Sequence, residues 1–260
     1  MSEKRVVIIT GASRGLGAAT ARWLAKKSCR MVLNARSAQP LEEVRKQCQE
    51  LGCETLAVAG DVGDLAVCQQ IVAAATDKWG RLDAIVNNAA VIDPIGIYTQ
   101  VDMEAWSRAM QINLVAPLYL ARLGAPWLLQ SKGKVVNVST GAAVHPLAAW
   151  SAYCASKAGL HHLTRCMAVE QPRIIAVSLR PGVIDTAMQD QIRKDGPGHM
   201  PPDMMQYFQQ LKETNRLEPP EVPAKSLAWL ALYCPPEWNG EMIEYTDARV
   251  MREAAAVFDP

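Results

Sequence analysis

Short runs of β-branched and apolar residues alternate along the chain with longer amphipathic stretches, the pattern of repeated strand–helix units in a parallel sheet. Seven runs read as strands: Val6 to Thr10, Met31 to Ala35, Thr55 to Ala59, Ala84 to Asn87, Lys134 to Ser139, Ile174 to Leu179 and Met242 to Tyr245. The stretches Gly15 to Lys27, Leu41 to Leu51, Leu65 to Trp79, Glu104 to Leu129 and Tyr153 to Glu170 read as helices. Right-handed crossovers would lay these helices on both faces of one sheet. The expected fold is therefore α/β, with a doubly wound seven-stranded parallel sheet and residues 1–260 forming a single domain. Residues 185–223 break the rhythm with Gly196, Gly198, Pro201, Pro202 and four methionines, and are too long for an ordinary connection. They read either as two surface helices using Met as filler or as a mobile lid offering substrate an adaptable apolar wall.

Composition narrows the function classes. Half of the residues are hydrophobic and 20% charged, the formal net charge is +1, and no run of Lys or Arg stands out, so a nucleic-acid partner is not expected. The seven cysteines are odd in number and scattered, with neither a CxxC pair nor a His–Cys cluster. They read as reduced packing thiols, and no metal is expected. The apolar run near the N-terminus is too short for a signal core or a membrane span, so a cytoplasmic protein without a membrane partner is expected.

Directly after the first strand comes Thr10-Gly11-Ala12-Ser13-Arg14-Gly15-Leu16-Gly17, followed by the helix opening at Gly15. Glycines in a strand–turn–helix setting let backbone approach a pyrophosphate, which the helix N-terminus attracts. The TGxxxGxG spacing resembles the short-chain dehydrogenase/reductase family, a Rossmann-like fold, and further motifs appear in the family order. Asp61-Val62 follows the third strand, where the resemblance implies an adenine contact. Asn87-Asn88-Ala89-Ala90 ends the fourth and resembles NNAG, with Ala90 departing from its glycine. Pro181-Gly182-Val183-Ile184-Asp185-Thr186 resembles the segment that holds the nicotinamide carboxamide. Cofactor choice is read at the end of the second strand, where an acid would favour a ribose 2′-OH and repel a 2′-phosphate. The residues there are Asn34-Ala35-Arg36-Ser37, and Arg36 with Arg14 can pair with phosphate, so the expected cofactor is NADPH/NADP+.

Tyr153-Cys154-Ala155-Ser156-Lys157 places a phenol and an amine at i and i+4 on one helix face. Alone, such a pair reads equally as a helix surface contact. A cation about 4 Å away at an effective dielectric near 20 contributes about 4 kcal/mol, enough to bring a phenol from about 10 to near 7. Tyr153 would then be general acid for reduction and base for oxidation. The strand before it ends Ser139-Thr140, two hydroxyls suited to a substrate carbonyl. In the family twelve residues separate the catalytic hydroxyl from Tyr, a count that lands on Thr140; most relatives carry Ser there, so Ser139 stays an alternative. Asn113 matches the family's helix asparagine, which holds a water linking the lysine to solvent.

The run from Thr140 to Lys157 resembles the sepiapterin reductase and benzil reductase-like branch, which implies dicarbonyls or aromatic ketones as small-molecule substrates. Trp150 and His145 are substrate candidates beside the bland readings of core packing and an exposed loop residue. Glu244 occupies the position of a pterin-holding Asp. Oxidation of an alcohol in the reverse direction and a non-catalytic NADP(H) sensor remain alternatives. The resemblance also implies a homodimer or homotetramer formed through the helices Glu104 to Leu129 and Tyr153 to Glu170.

Overall fold

The computed structural model describes residues 4–27 and 29–259. Seven strands form one sheet: β1 (Val6–Thr10), β2 (Arg30–Ala35), β3 (Glu54–Ala59), β4 (Ala84–Asn87), β5 (Lys134–Val138), β6 (Ile175–Arg180) and β7 (Met242–Glu244). Every pairing is parallel and the order is β3-β2-β1-β4-β5-β6-β7, so the winding reverses between β1 and β4. A crevice opens at such a reversal beyond the carboxyl ends of the strands, and this is where ligands of open α/β sheets bind.

Alternation along the strands builds two cores, because successive side chains point to opposite faces. Val7 and Ile9, Met31 and Leu33, and Val177 and Leu179 face one side. They pack there against α1 (Gly15–Ala25), α2 (Ala38–Glu50), α9 (Glu221–Tyr233) and α10 (Ala248–Phe258). Val6, Ile8, Val32, Ile85 and Val135 face the other, against α3 (Leu65–Trp79) and α5 (Ala116–Ser131). The run from α4 (Met103–Met110) through α5 is long and apolar enough to cross a membrane by composition, yet Ala116, Leu120 and Leu128 sit in this second core. All seven cysteines are unpaired, and burial pushes the thiols of Cys29, Cys48 and Cys234 up to about 12, leaving them protonated.

The predicted helix over Glu104 to Leu129 is not uniform. A π-helical turn, Gln111–Val115, separates α4 from α5 and carries Asn113. Wide turns of this kind recur at functional sites, and no hydrophobic period announces one. The 185–223 segment holds two helices, α7 (Ala187–Asp195) and α8 (Pro202–Glu213), and its last residues already begin α9. Ile192, Met200, Met205, Phe208 and Leu211 form a third buried cluster with Trp150 and Tyr153 of α6 and its approach, where α6 spans Ser151–Glu170. This agrees with the reading of two helices with Met as filler: Met200 and Met205 are buried in the cluster, and Met188 and Met204 pack against it.

Polar side chains also organise the interior. Asn87 Nδ2 donates to Asn137 Oδ1 at 2.8 Å, Asn137 Nδ2 to Thr164 Oγ1 at 2.9 Å, and Ser178 Oγ to Thr164 Oγ1 at 3.1 Å. This ladder crosses β4, β5 and β6 and ties α6 to the sheet. At the crevice, Asn88 Nδ2 donates to the carbonyls of Thr10 and Gly11, locking the Gly-rich turn to the end of β4. A Cβ on Gly17 would stand 2.4 Å from the Gly11 carbonyl oxygen and 2.6 Å from Asn88 Nδ2. Backbone cannot yield there as a side-chain tip can, so Gly17→Ala should destabilise the fold by about 1–3 kcal/mol, read as a lowered urea midpoint at unchanged slope.

Candidate active site

A cavity of about 640 Å³ occupies the crevice between β1 and β4 and extends under α7 and α8. Its nucleotide end begins at α1, whose first turn carries no acidic residue and whose N-cap, Arg14, supplies no side-chain cap. The amide groups at this helix start therefore remain available to an anion. Gly11 has φ +64°, and a Cβ on it would meet the Ala89 Cα at 2.9 Å, so only glycine lets β1 and β4 approach this closely. The sequence-assigned residues Gly11, Ser13, Arg14, Gly15, Leu16, Arg36 and Ser37 line this end, as do Asp61, Val62, Asn88 and Ala89. Gly17 does not; it stands behind the turn as a packing residue. Arg14 and Arg36 are exposed, and no ion pair with a described residue neutralises either. The Asp61 carboxylate, in contrast, is held by Arg108 at 2.6 Å and accepts from the Gly63 amide. Ala90 needs no left-handed backbone, since among described non-glycine residues only Lys132, Ala149 and Asn215 have positive φ.

Pro181, Gly182, Ile184 and Thr186 line the middle of the cavity beside Ser139, Thr140, Tyr153 and Lys157. Tyr153 and Lys157 are 8% and 2% exposed. The Lys157 ammonium donates to the Val138 carbonyl at 2.7 Å and lies 6.0 Å from the centre of the Tyr153 ring. The Thr140 hydroxyl accepts from the Ala142 amide at 3.3 Å and faces the phenol, whereas Ser139 Oγ is buried without a partner. Burial pushes the phenol up, to about 12, with the nearby Thr140 hydroxyl acting in the opposite direction. This corrects the expectation of a value near 7: the lysine turns toward a backbone carbonyl, and desolvation of the phenol is the largest effect on it. Burial pulls Lys157 down from its usual 10.5 to about 8.

Asn113 does not reach the cavity wall. Its Oδ1 accepts from the Val91 amide at 2.9 Å, and its Nδ2 donates to the Val91 carbonyl and to Ser156 Oγ at 2.8 and 3.1 Å. The side chain thereby braces the loop after β4 against α6.

At the substrate end, Trp150 is buried, stacks on Phe208 with centroids 5.4 Å apart, and meets Tyr153 edge-on at 5.8 Å. His145 is an exposed residue of the rim. Glu244 lines the wall, with its Oε1 paired with Arg180 at 2.5 Å. Arg180, Gln189 and Phe208 also line this end and were not singled out from sequence. A signal existed only for Arg180, a cation closing the apolar run Ile175–Leu179.

Residues 5–197 match the short chain dehydrogenase family. This chain is a short-chain dehydrogenase. It shares 36% identity over 244 residues with an uncharacterized oxidoreductase of Schizosaccharomyces pombe, covering 93% of this chain and 96% of that protein. A benzil reductase ((S)-benzoin forming) of Saccharomyces cerevisiae is 35% identical over 259 residues, covering 95% and 97%. The crystal structure of the KRED1-Pglu enzyme superposes with a TM-score of 0.88 at 38% identity, covering 92% of this chain and 100% of that one. This short-chain dehydrogenase therefore lies with the benzil reductase-like oxidoreductases, a family that uses nicotinamide cofactors.

The buried lysine makes a stability prediction. Between pH 8 and 10.5 the unfolded lysine holds a proton that the folded one has released, so stability should rise with pH through that window. At neutral pH the buried charge opposes folding by about 3 kcal/mol, offset by about 1 kcal/mol for the Val138 bond. Lys157→Met should accordingly raise neutral-pH stability by about 2 kcal/mol in urea unfolding, while reduction of any carbonyl is lost.

Proposed function

We propose that the chain is an NADPH-dependent carbonyl reductase acting on diketones, aromatic ketones or similar small carbonyls, with Tyr153 as the general acid. The observation that carries this reading is the placement of Thr140, Tyr153 and Lys157 together on one cavity wall, with the phenol held protonated by burial. A protonated phenol is the donor a nascent alkoxide needs, and Thr140 is placed to orient the carbonyl oxygen that receives its proton. Lys157, mostly cationic below pH 8, favours the ionised phenol once the proton has left. The glycine cradle at Gly11 and Gly15 and the amides opening α1 fit a dinucleotide, which when bound supplies the hydride. Arg14 and Arg36 would hold its 2′-phosphate.

Support for the substrate class comes from the benzil reductase relatives and from the aromatic wall of Trp150 and Phe208. Alcohol oxidation uses the same groups in reverse, and the ratio of reduced to oxidised cofactor decides between the two directions. Exposed Leu118 and Val169 on the helices that relatives are expected to pair through fit a homo-oligomer, and seven free thiols fit a reducing, cytoplasmic setting.

Two experiments test the reading. In NADPH-oxidation assays with benzil, Thr140→Ala should lower kcat by about 100-fold and Ser139→Ala by less than about tenfold; the reverse ranking would move the hydroxyl role to Ser139. In cofactor comparisons, kcat/KM should favour NADPH over NADH, and Arg36→Asp should invert the preference. A wild-type preference for NADH would sink the assignment of Arg36.

A further inference from the structure

The cation ending β6 has no part in proton or hydride transfer, yet it stands beside the reacting centre. β6 and β7 pair in register with Arg180 opposite Glu244, and Arg180 Nη1 lies 2.5 Å from Glu244 Oε1. Arg180 Nη2 lies 3.1 Å from the position a Cβ on Gly141 would take. The missing side chain at 141 thus lets the guanidinium rest against the turn that directly follows Thr140. Both Arg180 and Glu244 line the cavity with Thr140 and Gly141.

A guanidinium has five N–H donors in a rigid fork. Among the described residues Glu244 is the only side chain paired with this one, through Nη1, and Nη2, beside Gly141, has no hydrogen-bond partner among them. A strand-to-strand tie uses only one edge of the fork, which leaves the other edge free to serve the cavity. The donors therefore await an acceptor that the protein does not provide, one residue along the turn from the hydroxyl that orients the reacting oxygen. In a 1,2-dicarbonyl the second oxygen sits on the adjacent carbon, matching this succession of Thr140 hydroxyl and guanidinium. Glu244 also fixes the sign of the preference: its carboxylate offsets the guanidinium charge and would repel a carboxylate entering beside it.

On the basis of the carbonyl-reductase reading, we propose that Arg180 is a specificity residue that donates to the second carbonyl oxygen of a neutral vicinal diketone, with Glu244 orienting it and selecting against 2-oxo acids.

The test uses the full chain with NADPH and three substrates: benzil, deoxybenzoin, which keeps the skeleton but has a methylene for the second carbonyl, and phenylglyoxylate. Arg180→Met should lower kcat/KM for benzil by about tenfold or more, while deoxybenzoin stays within about twofold of wild type. Arg180→Lys, which keeps the ion pair, should leave deoxybenzoin unchanged and retain part of the benzil preference. Glu244→Gln should raise phenylglyoxylate turnover relative to benzil. A parallel fall for both ketones in Arg180→Met, or no fall for benzil, overturns the proposal. Should the wild type reduce none of the three, the reductase reading fails separately. Quenching of tryptophan fluorescence by benzil against deoxybenzoin then decides the role of Arg180: a diketone preference lost in Arg180→Met supports it, and one retained overturns it.

Discussion

Lys157 carries its ammonium into an interior where 2% of the residue is exposed, and gives it one described acceptor, the Val138 carbonyl at 2.7 Å. Burying a charge is costly unless hydrogen bonds compensate, so this contact must be held with little freedom. It joins α6 to the end of β5, and neighbouring bonds fix the helix on either side of it. Asn113 meets Ser156 one residue before the lysine, and Thr164 closes the Asn87–Asn137 ladder two turns later. Tyr153, one turn earlier, is thereby set against Thr140 at the end of the same strand. The destabilising charge is tolerated because the sheet and α6 over-determine its surroundings.

The same economy governs the nucleotide end. The reversal of strand order creates the crevice, but its floor closes only because Gly11 and Gly17 allow backbone approaches that any Cβ would forbid. Asn88 and Thr10 then bind the two strand ends together, with Thr10 Oγ1 accepting from the Asn88 and Ala89 amides at 3.1 Å each. Residues read from a motif as ligand contacts thus divide into two kinds. Arg14 and Arg36 are free at the rim, while Gly17 and Asn113 shape the site from behind.

The substrate end is built differently, by packing across long sequence separations. Phe208 of α8 stacks on Trp150, which abuts Tyr153, so the segment covering the cavity and the acid share one apolar cluster. Its ends are tied down by backbone bonds between Asp185 and Glu218 and between Glu218 and Val183, and by Lys212 against Asp185. The segment over the cavity and Tyr153 are therefore mechanically adjacent.

Alternating apolar runs, the Gly-rich turn and the Tyr153–Lys157 spacing were legible in the chain because they are local: strand and helix periods, and motifs, each express a short-range requirement. All seven strands fall within a residue or so of their expected bounds, and every assigned cofactor residue but Gly17 reaches the cavity. The helices α7 and α8 were anticipated only as one of two readings of residues 185–223, and α9 and α10 were not anticipated, although α10 is amphipathic. Tertiary structure alone decided where polar groups point. It turned Lys157 toward Val138, raised rather than lowered the phenol, engaged Asn113 with Val91 and Ser156, and joined Arg180 to Glu244. Charge and hydrogen-bond partners come from distant strands at fixed distances, and burial sets their strength; neither quantity is written in the order of residues.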